Sequence, residues 1–112
     1  MQLTIHQIDA FTSELFKGNY AAVIPLESWL SDELMLNIGA ENNVSETAFT
    51  CPQAGGSFAI RWFSPLMEID FCGHATLAAA YVLCEQHNIA QVCFSAEAVG
   101  KLIVNKKNDG SF

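Results

Sequence analysis

The side chains able to move a proton gather in two short segments. Glu41-Asn-Asn-Val-Ser-Glu46-Thr-Ala-Phe carries carboxylates, and Asp70-Phe-Cys-Gly-His74-Ala-Thr-Leu carries a thiol at Cys72 and an imidazole at His74. The second segment runs directly into an alanine-rich apolar stretch, so a helix is predicted to begin at Gly73. A helix start presents backbone N–H groups with no partner within the helix and the positive end of the helix dipole. Gly73, His74 and Ala75 can therefore receive a substrate carboxylate while Glu46 or Cys72 transfers a proton beside it. No other chemistry has comparable support. His6 and His87 have no partner pattern and read as surface residues, so no metal site is expected from the three histidines, and no glycine-rich phosphate loop is present.

The elements that must position these groups follow from periodicity. Leu3-Thr-Ile-His-Gln-Ile alternates as a strand, enters a loop through Asp9 and Lys17-Gly-Asn-Tyr, and a second strand covers Ala21 to Ile24. Ser31 is an N-cap with acids behind it, and Leu34, Met35 and Ile38 recur at helical spacing as far as about Glu41. Glu46 to Cys51 and Phe58 to Phe63 form a hairpin around Gln53-Ala-Gly-Gly, with Arg61 on one face and Ile60 and Trp62 on the other. Pro65 ends that strand, and Glu68-Ile-Asp-Phe is a further short one. From Gly73 to Gln86 the chain is helical and apolar nearly all round, which demands burial on every side within a curved sheet. Gln91 to Ser95 and Gly100 to Asn105 add two strands, and Lys107-Asn-Asp-Gly is a turn whose second arm is missing.

Length and composition bound the rest. The 112 residues form one domain, and 51% hydrophobic against 15% charged is rich for that size, which predicts a surface covered by a partner. Twelve acidic residues against five basic give a net charge of -7 with no basic stripe, which argues against nucleic acid. The four cysteines lack metal-ligand spacing, no signal segment opens the chain, and no apolar run reaches the roughly 18 residues of a bilayer span. A soluble cytoplasmic chain with no membrane partner is the expectation.

Five segments taken together resemble one family. Asp9-Ala-Phe-Thr, Gly18-Asn-Tyr-Ala-Ala-Val, Glu41-Asn-Asn-Val-Ser-Glu-Thr-Ala-Phe, Arg61-Trp-Phe-Ser-Pro and Cys72-Gly-His-Ala-Thr-Leu are similar, in order and spacing, to phenazine-biosynthesis F (PhzF-like) proteins. The resemblance implies an α+β fold: a curved mixed or antiparallel sheet wrapped around a central buried helix, one half of a diaminopimelate-epimerase-like molecule whose cleft lies between two similar halves. It implies a cofactor-independent isomerase, with Glu46 as the acid/base and Gly73, His74, Ala75 and Asp9 as substrate-binding residues on a small carboxylate. Related racemases of this fold use the cysteine at the position of Cys72, where a helix N-terminus would lower its pKa, so a Cys-dependent racemase or epimerase is an alternative. Family members are more than twice this length, and their second half supplies the other wall of the cleft. The chain is accordingly expected to be an N-terminal half, truncated or naturally short, that pairs as a homodimer. A non-catalytic half-domain is the rival reading.

Overall fold

The computed structural model describes residues 4–9, 20–42 and 46–106. Among the described residues seven strands form one sheet: β1 (His6–Asp9), β2 (Tyr20–Pro25), β3 (Glu46–Pro52), β4 (Phe58–Phe63), β5 (Glu68–Ile69), β6 (Gln91–Ala96) and β7 (Gly100–Asn105). Two helices, α1 (Asp32–Asn42) and α2 (Gly73–His87), interrupt the strand sequence. The spatial order is β1-β2-β3-β4-β6-β7, with β5 beside β4. Neighbours pair antiparallel except β2 with β3 and β4 with β6, which are parallel. Those are the two places where a helix intervenes, because a parallel return needs a crossover long enough to reach back along the sheet. The turn expected from Lys107 onward, the loop from Lys17 to Asn19 and residues 43–45 lie outside the described residues.

Each crossover helix covers one face. Met35 of α1 is fully buried against Ile24, Leu26, Phe49 and Phe63, and Phe49 meets Phe63 edge to face at 5.4 Å. Ser31 caps α1 as its type predicts: its hydroxyl accepts from the Leu34 backbone N–H at 3.1 Å. On the opposite face α2 packs against Ala21, Val23, Ala48, Ile60, Trp62 and Phe94. With a helix on both sides, β3 is buried from Thr47 through Cys51, Thr47 and Thr50 included, whereas β4 alternates as expected as far as Trp62.

Helix α2 lies close to the sheet because Ala75, Ala78, Ala79 and Ala80 are small and buried. Val82, Leu83 and Cys84 continue the buried surface, where a fully enclosed Val or Leu contributes about 1.5–3 kcal/mol. The helix ends on Asn88 in the left-handed conformation (φ 52°), which asparagine tolerates, with its N–H donating to the Cys84 carbonyl. Enclosure all round, as the sequence predicts, holds for Val82 but stops at one stripe: Leu77 is half-buried and Tyr81, one turn on, is 44% exposed. The sheet covers one side of α2 and leaves that stripe facing outward.

Candidate active site

Glu46 is the first residue of β3, held in register opposite Ala21 of β2. His74 is the second residue of α2, and Cys72 occupies the N-cap position just before it. The fold therefore brings one strand start and one helix start together. His74 Nε2 lies 2.7 Å from Glu46 Oε2, and Cys72 Sγ lies 3.4 Å from His74 Nδ1 and 3.8 Å from Nε2. The Glu46 and His74 side chains are each about one-fifth exposed, 21% and 20%. Glu46 Oε2 itself is enclosed, and no hydrogen bond is aligned on it. The imidazole thus stands close to the carboxylate without a hydrogen bond aligned on Oε2.

The first turn of α2 is fixed from below. Thr76 donates both its backbone N–H (3.0 Å) and its hydroxyl (2.7 Å) to the Cys72 carbonyl, and the buried Trp62 indole N–H donates to the Thr76 hydroxyl at 3.0 Å. The amides of Gly73 and Ala75 precede the first intrahelical bond, so no helix carbonyl lies in position to accept from them. Gly73 is exposed and Ala75 is buried. A methyl group at Gly73 would meet only the Phe71 ring, at 3.7 Å, so that position tolerates a side chain sterically.

Electrostatics at Cys72 run opposite to the sequence expectation. Burial pushes the thiol up and the neighbouring Glu46 carboxylate pushes it further, while the backbone N–H groups of Ala75 and His74 offset only part of the rise. The helix N-terminus does lower the pKa as expected, but desolvation is the larger effect, and Cys72 is a thiol at neutral pH. His74, which the sequence allowed either as a helix cap or as a substrate contact, turns its ring toward Glu46 and Cys72. Asp9 ends β1 in the backbone, while its side chain lies outside the described residues.

Sequence reasoning did not find two features. Arg61 forms a bidentate pair with Glu68 and reaches Asp32 of α1. Nearby, an open groove of about 640 Å³ forms where β5 and β6 both adjoin β4, lined by Trp29, Arg61, Asp70 and Glu97 among others. None of Glu46, Cys72 or His74 lines it. The signal for the groove, one strand edge shared by two partners, is topological and absent from local periodicity.

Comparison with known proteins identifies the family and the fold. The family model described as phenazine biosynthesis-like protein (PhzC-PhzF) matches residues 8–111. An uncharacterized isomerase of Pseudomonas aeruginosa is 48% identical over 110 residues, covering 97% of this chain and 42% of the relative. The phenazine biosynthesis-like domain-containing protein of Homo sapiens is 41% identical over 118 residues, covering 98% and 41%. Among solved structures, a PhzF-family protein of Enterococcus faecalis superposes with a TM-score of 0.87 at 49% identity, covering 96% of this chain and 42% of that one. A predicted epimerase of Pseudomonas aeruginosa superposes at 0.70 with 25% identity, covering 81% and 34%. The chain thus spans less than half the length of the relatives it matches. Its fold is that of their matching portion, and the chain belongs to the phenazine biosynthesis-like (PhzC-PhzF) family.

Proposed function

We propose that this chain carries the acid/base half of an isomerase site that moves a proton on a small carboxylate-bearing substrate without a cofactor. The observation that carries the reading is the convergence of Glu46 and His74, 2.7 Å apart, on the first turn of α2. Glu46 removes a proton from a carbon acidified by the neighbouring carboxylate or alkene and returns it at another carbon. Charge that builds on the substrate carboxylate meets the Gly73 amide at the positive end of the α2 dipole and the His74 ring. Cys72, held as a thiol, is the weaker candidate for the base, which disfavours the cysteine-dependent racemase.

The test is solvent-deuterium incorporation into small unsaturated and α-substituted carboxylates. Glu46→Gln keeps the shape and removes the ionisable group, so exchange should fall by about 10²- to 10⁴-fold. Exchange undiminished in Glu46→Gln overturns the assignment. A folded chain inactive on every compound, alone or paired, supports the non-catalytic half-domain instead.

A further inference from the structure

We infer that Glu46, Cys72 and His74 also form a three-ligand site for a soft divalent cation of the zinc class, whose occupancy excludes proton transfer by Glu46. The sequence expectation considered histidine and cysteine spacing and found no metal pattern. The fold instead assembles a carboxylate, a thiol and an imidazole from a strand start and a helix start that are far apart in sequence. Their donor atoms all lie within 4.8 Å of one another.

The distances suit one ion. Bonds of about 2.3 Å to sulfur, 2.0–2.1 Å to nitrogen and 2.0–2.2 Å to oxygen place any two donors of a tetrahedral zinc roughly 3.3–3.7 Å apart. Nε2, the His74 nitrogen that faces Glu46, stands 3.8 Å from Cys72 Sγ, just beyond that spacing. The 2.7 Å between Nε2 and Glu46 Oε2 is too short, and side-chain adjustments of under about 1 Å bring both pairs to the tetrahedral values. A second observation points the same way: Glu46 Oε2 is buried beside the His74 ring with no hydrogen bond aligned on it, and a cation can satisfy an enclosed carboxylate oxygen.

Donor type sets the class of ion. Thiolate with imidazole selects zinc-like metals over magnesium and calcium, which take oxygen ligands. Two of the three ligands flank the turn that Thr76 and Trp62 fix, so little ordering is needed on binding. As the sulfur–metal bond forms, the Cys72 thiol releases its proton to solvent, while His74 binds as neutral imidazole and Glu46 as carboxylate. Three protein ligands leave a fourth position for water or for a substrate carboxylate. With its lone pair on the metal, Glu46 no longer accepts a proton from carbon.

Cobalt provides the readout. The 112-residue chain, freed of metal with a chelator, is titrated with CoCl₂ and then with ZnCl₂. The expected result is a thiolate-to-cobalt charge-transfer band in the near ultraviolet that saturates at one equivalent and is bleached by one equivalent of zinc. Cys72→Ser should abolish the band and weaken zinc binding by at least about a hundredfold, the upper range for loss of even a supporting group around a metal. Cys51→Ser and Cys84→Ser should leave the band unchanged, and far-ultraviolet circular dichroism verifies the fold of each variant. No saturable band, or a band that survives Cys72→Ser, overturns the assignment. Because the signal is that of the metal, it succeeds or fails independently of any isomerase substrate.

Discussion

The Trp62 indole N–H donates to the Thr76 hydroxyl at 3.0 Å across the β4–α2 interface, and both residues are buried. Thr76 passes the link on to the Cys72 carbonyl at 2.7 Å, so one hydroxyl joins the sheet to the turn that carries the site. Thr76→Val keeps the shape and leaves a buried indole N–H with no acceptor, which should cost about 1–3 kcal/mol in urea unfolding. Thr76→Ser retains both bonds and should cost less. Equal stability of the Val variant and the parent would show that the indole finds another acceptor.

Cys72 should be slow to alkylate at neutral pH for two reasons. It is only 8% exposed, and burial and the Glu46 carboxylate hold its pKa above the ordinary 9.0. A raised thiol pKa favours the neutral form in the folded state. Its contribution to stability is therefore complete below pH 9.0 and is lost as pH rises through the folded value. Iodoacetamide labelling mapped by mass spectrometry should modify the half-buried Cys93 first, with Cys72 reacting only as the pH passes 9.0. Glu46→Gln removes the nearby negative charge and should speed Cys72 labelling at pH 8. Slower labelling in that variant would remove Glu46 as a cause of the shift.

Sequence reading succeeds where one face of an element decides its pattern. Ile60 and Trp62 against Arg61 placed β4 correctly, and Ser31 marked the start of α1 through a bond its own side chain makes. Reading failed where a balance or a distant partner decides. A helix N-terminus at Cys72 is legible, but the burial that outweighs it is a property of the packed molecule. The pairing of β4 with both β5 and β6, and of Arg61 with an α1 carboxylate, arises from crossovers that no local window contains. The placing of Glu46 beside the start of α2 is expected from the two segments and the resemblance, but its direct contact with the His74 ring depends on packing that no local window contains.

Arg61 clamps three elements, and the clamp should weaken in acid. Its guanidinium donates two 2.7 Å bonds to Glu68 and one of 2.9 Å to Asp32, and its carbon sits 5.4 Å from the Phe63 ring centre. Glu68 first, then Asp32, hold Arg61 charged far above neutral pH, while the hydrogen bond from Arg61 and its charge lower the exposed Asp32 carboxyl below 3.8. A lowered carboxyl stabilises the fold above its ordinary pKa and loses that contribution as pH falls through the folded value. Arg61→Lys loses the bidentate geometry and should cost about 1 kcal/mol at pH 7, kept small by solvent screening. The difference between parent and variant should shrink below pH 3.8. A difference that stays constant into strong acid would mean that the Arg61 stem, not its charge pairs, sets the effect.

The chain should self-associate through the exposed apolar side chains that lead into α2. Leu66 is 87% exposed, Met67 60% and Phe71 48%, and Phe71 stacks edge-on against Trp62 at 5.5 Å while flanking Gly73. Exposed apolar side chains on the segment leading into α2 favour cover by another surface. In a closed dimer the two-fold axis sets the same patch against itself, which would place each copy's apolar side chains over the other's Gly73 turn and supply a second wall near Glu46. Sedimentation velocity of the 112-residue chain at micromolar concentration should show a dimer, and Met67→Lys should convert it to monomer without changing its circular dichroism. The edge strand β7, whose Ile103 is 61% exposed, offers a different route, pairing backbone to backbone. Loss of the dimer in Ile103→Lys but not in Met67→Lys would assign the contact to that edge and leave the Glu46 site open on its outer side.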